Sequence, residues 1–182
     1  NLLMGPIVDK PVLRSIISQN SGCQFHFFGA FDPNGNNLGS DTSIETMDFI
    51  DFLKKSDNCV LHGMVASNIL ASGLTEMDAF LICYDYRFDK NKCSNAHKVL
   101  EYLALGKPII STRISMYDNL NLFPMLDTFD NSNFPDFSNE QLRNWTSINT
   151  KEAYTKRREY ALENSYHGNV KNIEDGLILT EN

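Results

Sequence analysis

The chain alternates short apolar runs with segments of helical periodicity, and this alternation constrains its fold more than any other feature. Four runs are strand-like: QFHFFG (24–29), CVLHG (59–63), AFLICY (79–84) and PIIST (108–112). Helical spacing fills residues 12–20, 44–56, 67–78 and 96–104. Because parallel strands need long crossover connections, the order predicts an α/β fold with a doubly wound, mostly parallel sheet and helices on both faces.

The remaining segments predict a single domain. LDTF (126–129) is predicted as an edge strand, and residues 138–180 as two or three helices covering one side. We therefore expect one domain over 1–182, with a core to about 130 and a helical C-terminal tail from about 138. The chain opens with NLLMGPIVDK and without an initiator Met. We expect an N-terminal partner domain to precede it.

Charge and cysteine content exclude several classes of protein. A net charge of −7 argues against a nucleic-acid partner, since phosphate backbones require a basic surface. No apolar run reaches the length needed to span a bilayer. The four cysteines show no C-x-x-C spacing, which favours reduced thiols in a cytosolic protein.

The candidate site follows the apolar strand AFLICY. In an open parallel sheet, ligands bind outside the carboxyl ends of the strands, where the next helix begins near Ala96. Lys98 and Glu101 lie three residues apart on one face of that helix, away from its apolar stripe. The stripe follows i, i+3, i+4, i+7, i+8 and consists of Ala96, Val99, Leu100, Leu103 and Ala104.

The start of this helix is a candidate anion site. Ser94 or Asn95 supplies the N-cap, and the free backbone N–H groups beside it attract negative charge. Glu101 would lie about 9 Å further along the axis, the span from a nucleotide's phosphates to its ribose hydroxyls. The alternative is that Lys98 and Glu101 form an ordinary ion pair on a solvated face.

The segment SNAHKVLEYLALGKPIIST (94–112) closely resembles a family pattern. The pattern is SNP-x-K-x-x-E-Y-L-A-x-GKP-V-V-S-T, from the C-terminal donor-binding domain of bacterial GT-B glycosyltransferases of the "glycosyl transferases group 1" type. The likeness covers roughly residues 24–115, with a looser one in the tail. It implies a Rossmann-like half of a GT-B fold.

The resemblance also implies how a sugar nucleotide would bind. Glu101 would bind the ribose hydroxyls, and Ser94, Asn95 and Ala96 would cradle the diphosphate. Lys98 would neutralise phosphate charge, and we assign it the catalytic role of stabilising charge that develops on the leaving nucleotide.

Two further features bear on this implied site. Backbone around Gly63, Met64 and Val65 would contact the base. Many relatives carry a second glutamate eight residues before the ribose-binding one, and here that position is Cys93, which leaves a retaining mechanism open. Arg87, with Lys90 and Lys92, could supply phosphate contacts from the adjacent loop or could simply be solvated.

The expected function is transfer of a sugar from a nucleoside-diphosphate sugar to a glycan or lipid-linked acceptor in bacterial polysaccharide biosynthesis. We expect no metal and no further cofactor, and a cytoplasmic location at the inner face of the membrane, reached through the missing half. The fragment alone would be inactive. Two alternatives remain: a non-catalytic nucleotide-binding module and a flavodoxin-like or receiver-like signalling domain.

Other polar residues give weaker signals. Asp85 and Asp89 lack the spacing and supporting ligands of a metal site, so they are predicted as solvated loop residues. The four histidines are scattered, and His62 is predicted as a packed side chain at the end of its strand. No dinucleotide-binding or P-loop glycine motif is present.

Overall fold

The computed structural model describes residues 7–31, 43–88 and 96–165. Its strands are β1 (Phe25–Phe28), β2 (Cys59–Gly63), β3 (Phe80–Ile82) and β4 (Ile109–Ser111). Its helices are α1 (Lys10–Gln19), α2 (Ile44–Lys55), α3 (Ser67–Glu76), α4 (Ala96–Ala104), α5 (Phe134–Arg143), α6 (Trp145–Ile148) and α7 (Lys151–Glu163). Each predicted strand–helix alternation is therefore present, and the α/β class is confirmed.

The strands form two parallel pairs, β1 with β2 and β3 with β4. No hydrogen bonding links the two pairs among the described residues. The other edge of β3 is extended by an antiparallel bridge between Val8 and Tyr84, and the backbone N–H of Asp9 donates to Cys83 at 3.1 Å. The parallel pairing is as predicted, while the structure has two small sheets rather than one continuous sheet.

Helices cover both faces of the second sheet. Phe80 and Ile82 pack into one core cluster, with residues of α4 and α7, while Leu81 and Cys83 pack into another, with residues of α1, α2 and α5. Successive residues of a strand point to opposite faces, so a strand buried on both sides reads as a continuous apolar run. The cluster that contains Leu81 and Cys83 also contacts Phe27 of β1, so this core spans both sheets.

The packing of α4 largely follows its apolar periodicity. Val99 and Leu103 are completely buried. Tyr102 stacks on Phe80 with ring centroids 4.0 Å apart. Ala104, which we predicted on the stripe, is exposed, because Tyr102 rather than Ala104 extends the buried face. The helix ends at Ala104, and the turn that follows contains Gly106, whose φ of 71° suits glycine and whose N–H donates to the carbonyl of Leu103 at 2.9 Å.

The predicted edge strand at 126–129 is displaced and reduced to a bridge. Ser111 pairs in parallel with Met125, and the N–H of Leu126 donates to Ser111 at 3.1 Å. The tail begins earlier than predicted, with α5 starting at Phe134. The part of the predicted tail beyond 165 lies outside the described residues.

Candidate functional site

The candidate site lies at the carboxyl ends of β3 and β4. The two strands are parallel, so both end at the same edge, where the backbone N–H of Tyr84 donates to the Thr112 hydroxyl at 2.9 Å. The next helix along the chain, α4, carries Lys98 in its first turn and Glu101 one turn later. This is the placement that the sequence predicts for a ligand site.

Lys98 and Glu101 are in different environments and do not pair. Lys98 is half-buried and Glu101 is exposed. No ion pair within 4.0 Å joins them, although the structure describes both residues. Burial lowers the pKa of Lys98 below its usual value, and the charge of Glu101 offsets this only in part. The ordinary surface ion pair, which the sequence left open, is therefore not formed.

The positive charge of Lys98 lies at the electropositive amino end of its own helix. Backbone N–H groups make the first turn of a helix electropositive, so a cation there is unfavourable by some tenths of a kcal/mol. α4 has no acidic residue in its first turn to compensate. A half-buried lysine at a helix start is the arrangement that a bound anion would stabilise.

The three residues assigned to the base end β2 and follow it. Gly63 has a φ of 70°, and its carbonyl accepts from the N–H of Gly29 at 2.9 Å. Met64 is 72% exposed and Val65 is half-buried. Gly63–Val65 thus lie at the carboxyl end of β2, whereas α4 follows β3 along the chain.

Several predicted site residues cannot be placed. Ala96 begins α4, but its side chain is not among the parts of the chain that the structure describes. The predicted diphosphate contacts Ser94 and Asn95 lie outside the described residues, as do Lys90, Lys92 and Cys93. The cradle at the start of α4 therefore stays a prediction.

Sequence reasoning missed a buried polar cluster at this same edge. Asp9, the N-cap of α1, accepts from the N–H of Val12 and from the side-chain amide of Asn131, at 3.2 and 2.9 Å. The same amide donates to the carbonyl of Tyr84 at 2.7 Å. The cluster joins α1, the end of β3 and the loop before α5. Only the N-cap role of Asp9 has a local signature, since Asn131 is 122 residues away.

Asp85 belongs to this buried region, and its prediction as a solvated residue is wrong. It is 3% exposed and forms an ion pair with Arg87, whose backbone N–H also donates to it at 3.0 Å. Burial alone would raise the pKa of Asp85, but the hydrogen bonds and charge of Arg87, assisted by the charge of Lys10, lower it. The Asp85 carboxylate is thereby kept ionised next to the end of β3.

His62, predicted as a packed side chain at the end of its strand, packs against two neighbours while remaining exposed to water. Its ring stacks on Phe28 with centroids 4.2 Å apart and hydrogen-bonds His26 on β1. His62 is thus held by neighbours on the outer face of the first sheet. It lies one residue before Gly63, and therefore beside the segment assigned to the base.

Three other features bear on what the described residues can do. They contain no group of three or more His, Cys, Asp or Glu placed to hold a metal ion. None of their helices is both long and apolar enough to cross a membrane. A cavity of about 410 Å³ opens at the amino ends of β1 and β2, beside Gly22 and Asn58. We favour the carboxyl edge as the functional one, since parallel sheets bind ligands there.

No family model matches the chain, and no curated protein matches it.

Proposed function

We propose that this chain is the donor-binding domain of a glycosyltransferase, a Rossmann-like half of a GT-B fold. The observation that carries the proposal is the state of the two charged residues of α4. Lys98 is half-buried with a lowered pKa, Glu101 is exposed one turn later, and the two do not pair. Neither charge is therefore neutralised by the other. The likeness of residues 94–112 to the family pattern supports the same assignment.

The geometry of α4 suits a nucleoside diphosphate. The diphosphate would lie at the electropositive start of the helix beside Lys98, and Glu101 would accept from the ribose hydroxyls. Gly63, Met64 and Val65 would contact the base. In a transfer reaction, Lys98 would stabilise the negative charge that develops on the departing diphosphate. No metal is required for these contacts, because the cation is supplied by the protein.

The proposal extends to partners. A glycan or lipid-linked acceptor would be presented by a partner domain, because donor and acceptor must be oriented together for transfer. The activity would take place in the cytoplasm at the membrane's inner face, where lipid-linked acceptors lie.

The proposal is tested by a binding screen. Isothermal titration calorimetry should compare uridine, guanosine, adenosine and cytidine with their diphosphates and diphosphate sugars. We expect one base series in which the diphosphate binds at least tenfold more tightly than its nucleoside. Absence of binding by every compound would contradict the assignment. Binding of nucleotides without turnover, when acceptor and partner domain are supplied, would leave a non-catalytic nucleotide-binding module.

A further inference from the structure

A second set of side chains meets at the carboxyl ends of β3 and β4, and no role has been assigned to it. Tyr86 follows β3, Arg113 follows β4, and Phe129 follows the segment bridged to β4. The rings of Tyr86 and Phe129 lie 6.4 Å apart and are inclined by 44°. The guanidinium carbon of Arg113 lies 4.7 Å from the centre of the Phe129 ring. We call Tyr86, Arg113 and Phe129 the aromatic corner.

Arg113 is held rigidly behind Phe129. Its Nη2 donates to Asp118 at 2.7 Å and its Nη1 donates to the carbonyl of Asp127 at 2.8 Å. The guanidinium stacks on the ring while both of its ends are fixed, so the plane of Phe129 has a defined orientation. The corner is therefore ordered by its neighbours.

Tyr86 is held by the turn that follows β3. The N–H of Phe88 donates to the carbonyl of Asp85 at 3.2 Å, and the N–H of Arg87 donates to the Asp85 carboxylate at 3.0 Å. Since Asp85 is itself buried, this turn fixes the backbone of Tyr86. The ring nevertheless stays 43% exposed, and the next aromatic residue, Phe88, is 63% exposed. A large exposed ring on a fixed backbone can bind a ligand with little further loss of backbone entropy.

We propose that the aromatic corner binds a saccharide ring, an inference that rests on the proposed function for its biological setting. A pyranose has an apolar C–H face and an edge of hydroxyls. The inclined rings of Tyr86 and Phe129 offer an apolar wall, and the Arg113–Asp118 pair beside them is partly exposed, at 30% and 28%, and can exchange hydrogen bonds with hydroxyls. An acyl chain would instead need a continuous apolar wall, which this charged rim interrupts.

The main test uses free saccharides, so it does not depend on nucleotide binding. Saturation-transfer-difference NMR should be recorded with the methyl glycosides of glucose, N-acetylglucosamine, mannose, galactose and rhamnose. We expect transfer to the ring C–H protons of at least one, reduced about fivefold or more in Tyr86→Ala and largely retained in Tyr86→Phe. Tyr154→Ala, at a comparably exposed tyrosine on α7, is the matched control and should behave as the parent. No transfer from any glycoside, or equal transfer in Tyr86→Ala, would overturn the proposal.

A second arm identifies the source of the saccharide. Calorimetry should compare a nucleoside diphosphate with its diphosphate sugar in the parent and in Tyr86→Ala. If Tyr86→Ala loses affinity only for the diphosphate sugar, the aromatic corner binds the sugar of the donor. If both affinities are unchanged while the NMR result is positive, the corner binds a sugar of the acceptor. Equal losses for both ligands would mean that Tyr86 contacts the nucleotide, which contradicts the inference. If the parent binds no nucleotide, the proposed function fails while the NMR result still decides the role of the corner.

Discussion

Nδ1 of His26 lies 2.9 Å from Nε2 of His62, and Nε2 of His26 lies 2.9 Å from the side-chain oxygen of Gln24. Because that oxygen can only accept, the Nε2–H of neutral His26 donates to it, and Nδ1 of His26 accepts a hydrogen bond from the Nε2–H of His62. The three side chains form a directed chain along the outer face of the first sheet. Positive charge on His26 at this separation would oppose a second positive charge on His62.

This arrangement predicts a dependence of stability on pH. Partial desolvation by its neighbours and the charge of His26 lower the pKa of His62 below 6.5. The unfolded chain therefore takes up this proton at a higher pH than the folded chain. The stabilisation is fully present above pH 6.5 and is lost as the pH falls through that value towards the folded pKa. Melting temperatures measured from about pH 7.5 to about pH 5 should fall less steeply in His62→Gln than in the parent. Parallel profiles would contradict a coupled pair.

Substitution of the buried Arg157 should have a large effect on stability. Its side chain is buried, its Nε donates to Gly106 at 2.9 Å and its Nη1 to Ile148 at 3.1 Å, so it links the ends of α4 and α6 to α7. Within the described residues its Nη2 has no hydrogen-bond partner. Arg157→Met should lower the free energy of unfolding by about 2 kcal/mol, because two buried carbonyls lose their donors.

Urea unfolding followed by the fluorescence of Trp145, the single tryptophan, measures this loss. The exposed neighbour Arg158 provides the control, since Arg158→Met should change stability by less than about 0.5 kcal/mol. If Arg157→Met were as stable as the parent, the expected loss would be contradicted. The free-energy cost of burying the unpaired Nη2 would then equal the contribution of the two hydrogen bonds.

Local sequence patterns were sufficient for most elements. β2 has the predicted bounds, and α2 differs by one residue, because Ser43 caps it and its apolar positions recur with helical spacing. β3 is shorter than the apolar run that predicted it. The last two residues of that apolar run, Cys83 and Tyr84, lie beyond the end of β3. They pair with residues 7–9 instead of continuing the ladder with β4. Apolar periodicity identifies a strand but does not specify its partner.

The site was harder to predict because its contacts are long-range. Asp85 has an ordinary loop composition around it, and the charge of the distant Lys10 acts on its buried carboxylate together with the neighbouring Arg87. The pairing of Asp9 with Asn131 likewise has no local signal. By contrast, the lack of an ion pair between Lys98 and Glu101 could not be decided from spacing, since an i, i+3 pair is compatible with either arrangement.

Lys98→Met should weaken diphosphate binding and spare the nucleoside. The charge of Lys98 contributes only when phosphate is present, so a loss of about tenfold is expected for the diphosphate and less than about twofold for the nucleoside. Added salt should weaken diphosphate binding by the parent in the same direction. Because burial lowers the pKa of Lys98, this side chain should lose its charge at a lower pH than an exposed lysine does. Its contribution to diphosphate binding should decline over the same pH range. Lys151→Met, at an exposed position on α7, serves as the control in calorimetry. Equal losses of affinity for the diphosphate and the nucleoside would mean that Lys98 does not contact phosphate.

The most direct test of the central claim is the preference of Glu101 for ribose hydroxyls, measured by calorimetry with a nucleoside diphosphate and its 2′,3′-dideoxy form. The parent should bind the ribose form more tightly by about 1–3 kcal/mol, because a carboxylate accepts from both hydroxyls. Glu101→Ala should bind the two forms equally and keep the parent's circular dichroism, since Glu101 is exposed. Glu140→Ala, which removes an exposed glutamate from α5, should keep the full preference. A Glu101→Ala variant with the parent's affinity and the parent's ribose preference would contradict the account.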